Sequence, residues 1–166
     1  ARGRIDFNAD TKADLVWRNV ATGQNAVWFM NGATLLGSDA LPAVTDTDWE
    51  IQAVEHVDSD GRTDILWRHK PDGYLLVWFM DGLRWLRSLS KPFGTSLFFP
   101  TYFNDFALAD FDGNGKTDLV FHGDWTVIWL LDGSTVTSYN SIHEFGAGWK
   151  LSAAADFDAD GRADLL

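Results

Sequence analysis

Four short loops carry oxygen-bearing side chains at the same alternating positions, a spacing that could bind a metal ion. The loops span residues 6–14, 56–64, 110–118 and 156–164 and are called loops one to four. Counted from the start of each loop, positions 1, 3 and 5 are mostly Asp or Asn, position 6 is mostly Gly and position 9 is Asp. Calcium takes about six to eight oxygen ligands, which a tight loop of short acidic side chains supplies. The spacing therefore predicts calcium cages.

The candidate ligands are the side chains at positions 1, 3, 5 and 9 and the backbone carbonyl at position 7. They are Asp156, Asp158, Asp160, Asp164 and the Arg162 carbonyl in loop four; Asp110, Asp112, Asn114, Asp118 and the Lys116 carbonyl in loop three; Asp58, Asp60, Asp64 and the Arg62 carbonyl in loop two; and Asp6, Asn8, Asp10, Asp14 and the Lys12 carbonyl in loop one. We rank loops four and three first. His56 at position 1 weakens loop two, and Thr11 at position 6 of loop one would be strained at positive φ.

Two other interpretations of the loops are less favoured. An EF-hand shares the opening spacing, but it needs a bidentate Glu at position 12 and flanking helices. Position 12 is Trp17, Trp67 and Phe121 in the first three copies, and the flanking residues have strand character. A solvated turn is the ordinary interpretation of one such loop. Four copies in register favour metal binding instead.

The composition limits the classes of function. The net charge is −11, and 13 of the 24 acidic residues lie in the loops (three, three, three and four), so the acidity is concentrated there. No basic stripe is present for a nucleic-acid backbone. No apolar run is long enough to span a bilayer, and no apolar segment follows the first residues as it would in a signal peptide. The chain has no cysteine, which excludes disulfides but leaves the compartment open.

The sequence predicts an all-β fold built from repeats. The loops start 50, 54 and 46 residues apart (positions 6, 56, 110 and 156), and short apolar runs rich in Val, Ile, Trp and Phe lie between them. Asn-Gly and Asp-Gly pairs predict two-residue hairpins. Four antiparallel strands per unit describe a β-propeller blade, with the cage between strands one and two. We expect a single array over residues 1–166, with blades at about 1–40, 49–90 and 103–140 and a partial fourth at about 149–166.

These residues resemble a known repeat family. The frame Asp-Phe-(Asp/Asn)-x-(Asp/Asn)-Gly-(Lys/Arg)-x-Asp, followed by an apolar strand and by Val-Trp-Phe-Met-(Asn/Asp)-Gly, is similar to the FG-GAP/VCBS repeat. That repeat occurs in integrin α-subunit propellers, some fungal propeller lectins and many secreted bacterial proteins. The resemblance implies a calcium-binding propeller module.

The aromatic residues divide into recurring and non-recurring sets. The recurring set is predicted to form the core between blades, because packing of repeated strands requires it; it comprises Trp17, Trp67, Phe121, Trp28, Trp78 and Trp129. The non-recurring set supplies the surface candidates; it comprises Trp85, Trp125, Tyr74, Tyr102 and Tyr139. None of the four histidines has a serine or acidic partner at a catalytic spacing. We therefore expect no enzymatic activity.

The leading hypothesis for function is a secreted or cell-surface module for recognition or adhesion. Calcium is the expected cofactor, and carbohydrate or another extracellular protein the expected partner, without nucleic acid or a membrane span. An extracellular location is favoured because cages of modest affinity suit millimolar calcium. Two alternatives remain: an accessory or scaffold fragment of a larger secreted enzyme or toxin, and a structural spacer with no ligand except metal. Because the fourth repeat is incomplete, the sequence favours a fragment over copies that complete a propeller together.

Overall fold

The structure is a computed structural model that describes residues 5–89, 105–123, 125–142 and 148–166. Short apolar segments bounded by Gly, Asp and Asn form thirteen β-strands there. In chain order they are β1 Leu15–Arg18, β2 Asn25–Asn31, β3 Thr34–Leu41, β4 Trp49–Glu55, β5 Asp64–His69, β6 Leu75–Asp81, β7 Arg84–Leu89, β8 Asp105–Ala109, β9 Asp118–His122, β10 Thr126–Asp132, β11 Thr135–Ile142, β12 Ala154–Ala155 and β13 Asp164–Leu165. The described part of the chain contains no helix, so it offers no helical segment that could cross a membrane.

The strands pair into four antiparallel sheets. The first has the order β1-β2-β3, the second β4-β5-β6-β7, the third β8-β9-β10-β11, and the fourth β12-β13. Neighbours in the chain are neighbours in each sheet, as the hairpin signals predict. Loops two, three and four each connect the first strand of a sheet to the second, and loop one leads into β1. The all-β prediction is thus confirmed for the described residues, while the division into blades stays a prediction.

The turn between β2 and β3, and its counterparts in the second and third sheets, lie one residue later in the chain than predicted. We expected Asn-Gly or Asp-Gly to form the two-residue turn. Instead Asn31 pairs with Thr34, and the turn residues are Gly32 and Ala33. The second and third sheets repeat this register around Gly82 and Gly133. All three glycines have φ near +60° (59°, 58° and 62°), which glycine adopts without a steric penalty.

A β-bulge recurs at one place in the first three sheets. The register shifts between Phe29 and Met30, between Phe79 and Met80, and between Leu130 and Leu131. In the first sheet, pairing between β1 and β2 ends at Leu15 and Trp28, so Met30 lies beyond the end of the shorter strand. Its backbone N–H therefore needs an acceptor from outside the ladder. The acceptor is Asp14, at position 9 of loop one.

The chain forms two compact units, and each has its own apolar core. The first unit comprises Ala1–His56 and Asp60–Lys91, and the second comprises Val57–Ser59 and Pro92–Leu166. In the first unit, side chains of the first sheet and loop one pack against the second sheet; the buried cluster is Phe7, Val27, Leu41, Ile65, Trp67, Trp78 and Met80. In the second unit the buried residues include Leu119, Val120, Phe121, Trp129 and Leu131.

Arg18, the last residue of β1, connects the first sheet to the segment that leads into the second. Its guanidinium donates to four backbone carbonyls and one side-chain amide oxygen: Trp49 at 2.8 Å, Asp46 at 2.9 Å, Val44 at 3.1 Å, Gly23 at 3.2 Å and Asn25 Oδ1 at 3.1 Å. The guanidinium also lies 5.1 Å from the ring centroid of Trp67. His122 is at the corresponding position of the third sheet, and its Nε2 lies 3.1 Å from the Trp149 carbonyl. One polar side chain thus links consecutive repeats inside each unit.

Candidate metal centres in the acidic loops

The side chains at positions 1, 3 and 5 fold each loop around their oxygen atoms. In loops one, three and four the position-1 carboxylate accepts N–H groups from positions 5 and 6, as Asp156 does from Asp160 at 3.1 Å and Gly161 at 3.0 Å. The position-3 oxygen accepts the N–H of position 5, at 3.0 to 3.1 Å. The position-5 oxygen accepts the N–H of position 7, at 2.7 to 2.9 Å and in all four loops. These bonds turn the oxygens of the loop towards one another.

The position-9 aspartate has a structural role that the sequence does not reveal. Both oxygens of Asp118 accept backbone N–H groups, from Phe111 in loop three at 2.7 Å and from Leu131 in the bulge of β10 at 2.7 Å. Asp14 binds Phe7 and Met30 in the same way, and Asp64 accepts from Met80. Asp14, Asp64 and Asp118 are buried. The carboxylate therefore extends the ladder past the end of the shorter strand and connects the loop to it.

The structure brings three carboxylates together in two of the loops. Oxygens of Asp110, Asp112 and Asp118 in loop three lie within 4.8 Å of one another. Asp156, Asp158 and Asp164 do the same in loop four. These oxygens are hard donors of the kind calcium prefers, and a carboxylate oxygen that accepts a single N–H keeps a further lone pair. The residues of these two loops thus fit a hard divalent ion.

Loop one has the amide Asn8 instead of a carboxylate at position 3, and loop two has His56 at position 1. All acidic residues of loop one are described, and they do not form a trio of this kind. The ligand assignments in these two loops, like those in loops three and four, stay predictions.

Burial and neighbouring carboxylates raise the pKa of Asp118 in loop three. Burial raises the pKa of Asp118, hydrogen bonds from Leu131 and Phe111 lower it, and the charges of Asp112 and Asp110 raise it; the net direction is upward. Crowded carboxylates disfavour one another's charged form. A cation among the three oxygens would offset this repulsion.

Left-handed backbone residues shape the loops at two positions. Position 6 has positive φ in all four: Thr11 at 67°, Gly61 at 81°, Gly115 at 80° and Gly161 at 90°. The expectation of strain at Thr11 is confirmed, because a β-branched residue in this region costs about 1–2 kcal/mol. Position 4 is also left-handed, at Ala9, Ser59, Gly113 and Ala159. The sequence did not predict left-handed backbone at this position, although Gly113 in loop three is compatible with it.

The recurring aromatic residues are buried in the second and third sheets but not in the first. Trp67, Trp78, Phe121 and Trp129 are core residues, as predicted. The prediction is wrong for Trp17 and Trp28, which are exposed because no described residues cover that face of the first sheet. The surface candidates Trp85, Trp125, Tyr74 and Tyr139 are exposed, as expected, and Tyr102 lies outside the described residues.

A third group of potential ligands lies outside the loops, at the end of β5. Nδ1 of His69 lies 2.6 Å from Asp72 Oδ1, and Nε2 lies 3.5 Å from Asp46 Oδ2. Asp48 is close enough for one oxygen to join Asp46 and His69 within 4.8 Å. The imidazole also contacts the ring of Trp49, with centroids 5.0 Å apart. The contacts of His69 with Asp72 and Asp46 account for this group without a ligand.

A comparison with protein-family models identifies the family. The model of the FG-GAP-like repeat matches residues 56–121 and 110–166. Together the two matches cover loops two to four and more than half of the chain. The chain therefore belongs to the FG-GAP-like repeat family. A search of curated proteins found no match, and neither did a search of solved structures.

Proposed function

We propose that this chain is a calcium-stabilised, non-catalytic module of β-propeller type that serves recognition or adhesion outside the cell. The observation that carries the proposal is the pair of carboxylate trios in loops three and four. They recur at the same positions of a repeat that belongs to the FG-GAP-like family. A propeller-type arrangement would also explain why the repeated sheets have apolar residues at equivalent strand positions.

The ligand set proposed for calcium follows the loop positions. In loop three the ion would be held by Asp110, Asp112, Asn114, Asp118 and the Lys116 carbonyl. In loop four it would be held by Asp156, Asp158, Asp160, Asp164 and the Arg162 carbonyl. When bound, calcium supplies positive charge that neutralises the crowded carboxylates. Asp118 and Asp164 would then transmit the order of the loop to the strands, because each also accepts the N–H of the aromatic at position 2.

The first test separates calcium ligation from ordinary hydrogen bonding. Asp112→Ala should lower the melting temperature by several degrees in calcium, because a proposed ligand is lost. It should change the melting temperature little in chelator, because the Asn114 N–H that Asp112 accepts is exposed and can form a hydrogen bond with water instead. A loss of 1 kcal/mol corresponds to about 2–4 °C in a protein of this length. The control is Asp39→Ala, which removes an exposed aspartate outside the loops. Equal losses for Asp112→Ala in both conditions would argue against the cage.

The non-catalytic part of the proposal is supported by the structural contacts of two histidines. His69 lies between Asp72 and Asp46. Nδ1 of His122 lies 2.8 Å from Thr126 Oγ1, and its Nε2 contacts the Trp149 carbonyl. Both nitrogen atoms of each ring are thus used to hold neighbouring segments. Such contacts are typical of histidines that stabilise a scaffold.

The surface we propose for the ligand is a cleft of the first unit. It has a volume of about 580 Å³ and lies between loop one, part of loop two and the turn at Gly82. Asn8, His56 and Arg62 line it, and Arg62 forms a 2.9 Å ion pair with Asp81. These polar groups suit a glycan or the polar surface of an extracellular protein. Saturable, calcium-dependent binding on a glycan array would support the glycan, and no binding to any glycan would contradict it.

A further inference from the structure

One face of the first sheet lacks the cover that its counterparts have. Leu15, Trp17 and Trp28 form this open face, and their exposed fractions are 45, 47 and 38 %. The equivalent residues are covered in the other two sheets: 0, 1 and 6 % for Ile65, Trp67 and Trp78, and 1, 0 and 6 % for Leu119, Phe121 and Trp129. The two aromatic rings lie a similar distance apart in all three, with centroids 4.7 to 5.0 Å apart. Contiguous exposed apolar residues of this kind mark an interaction surface.

The first unit shows what kind of surface covers such a face. There, Ile65, Trp67 and Trp78 pack in one cluster with Phe7 and Val27 of the preceding repeat. Phe7 is the aromatic at position 2 of loop one and is only 4 % exposed. The partner of the open face should therefore offer an aromatic at position 2 of an acidic loop.

Hydrogen bonds between loops of consecutive repeats recur at the same loop positions. Position 8 of one loop contacts position 1 of the preceding loop. In the first unit, Thr63 Oγ1 accepts the Asp6 N–H at 3.0 Å. In the second unit, the Ala163 N–H donates to the Asp110 carbonyl at 2.7 Å. Position 8 of loop one is Ala13, the same residue type as Ala163, and it is exposed.

The same chain carries the complementary half of this contact. Phe157 is the position-2 aromatic of loop four, and its exposed fraction is 57 %, compared with 4 % for Phe7. Asp156 precedes it at position 1. The open face and Ala13 at one end of the repeat series thus match Phe157 and Asp156 at the other.

We propose that copies of this chain associate head to tail, with loop four of one copy packed on the open face of the next. Phe157 would lie against Trp17 and Trp28 as Phe7 lies against Trp67 and Trp78, and the Ala13 N–H would donate to the Asp156 carbonyl. Such a contact is heterologous, because it joins two different surfaces. The proposal rests on the repeat packing that the proposed function also assumes, but it does not depend on ligand binding.

Sedimentation velocity of the 166-residue chain in calcium tests the proposal. The wild type should show a mass above one chain that rises with concentration. Leu15→Asp and Phe157→Ser should each sediment as a single chain, since each removes a different half of the contact. The matched controls, Leu36→Asp and Tyr139→Ser, change exposed residues of β3 and β11 and should associate like the wild type. Circular dichroism of all four variants checks that each is folded.

Mixing the two interface variants provides the sharpest result. A chain with Leu15→Asp retains Phe157, and a chain with Phe157→Ser retains the open face, so the mixture should form a complex of two chains and none larger. A mixture that stays monomeric, a Phe157→Ser variant that still associates, or a wild type that is monomeric at every concentration would each overturn the proposal. Loss of association in a control variant would do so as well. The calcium-dependent melting described above can succeed while association fails, so the two proposals fail separately.

Discussion

Asp118→Ala is expected to lower the free energy of unfolding by about 3 kcal/mol in chelator, and by more in calcium, because a proposed calcium ligand is lost there as well. Its two oxygens accept the N–H groups of Phe111 and Leu131 at 2.7 Å, and Asp118 is fully buried. Alanine leaves both N–H groups without this acceptor, and the Leu131 N–H is buried. Relief of repulsion from Asp110 and Asp112 offsets part of this loss. Urea unfolding monitored by tryptophan fluorescence measures the change.

The control for this variant is Asp132→Ala, in the same unit. Asp132 is exposed and pairs with Lys116 at the surface, so its removal should change stability by at most about 1 kcal/mol. A loss at Asp118 that disappears in chelator would contradict the structural role and leave only ligation. Asp112→Ala is expected to show that chelator-sensitive behaviour, which makes the two variants a matched pair for positions 3 and 9.

Arg18→Met should lower the free energy of unfolding by about 3 kcal/mol, because it removes five hydrogen bonds, three of which hold the first sheet to residues 44–49 at the start of the second. Methionine retains an unbranched side chain but cannot donate to the carbonyls of Val44 and Trp49. Because the connection lies inside the first unit, the loss should be independent of calcium. The same urea titration measures it.

Arg84→Met is the matched control for the arginine. Arg84 is mostly exposed and has a 3.4 Å ion pair with Asp81, so its replacement should change the free energy of unfolding by less than about 1 kcal/mol. A similar effect for both variants would show that Arg18 contributes no more than a surface charge.

The sequence predicts the local features of this fold well, because each depends on a short stretch of residues. Alternating oxygen side chains predict the loops, and the structure brings together Asp110, Asp112 and Asp118 as expected. Apolar runs bounded by Gly and Asp predict the strands. Thr11 at position 6 predicts strain at the place where the backbone is left-handed. These are consequences of spacing and of the conformational freedom of single residues.

Features that depend on neighbours in space could not be predicted in this way. The loop position of Asp118 predicts a metal ligand. Its hydrogen bond to Leu131 in the bulge, thirteen residues away, depends on how the strands of the hairpin pair. Trp17 and Trp28 recur at the same strand positions as Trp67 and Trp78, so periodicity assigns them all to the core. Their burial is decided by whether another repeat covers them, which the pattern within one repeat does not contain.

The central claim is that calcium in loops three and four stabilises the strands that those loops connect. The most direct measurement is calorimetric unfolding of metal-stripped wild-type protein over a series of calcium concentrations. A site that binds only the folded state adds about 2.7 kcal/mol when calcium is at 100 times its dissociation constant. We therefore predict a melting temperature that rises steadily with calcium and returns to its starting value in chelator. A melting temperature that does not change with calcium would contradict the claim.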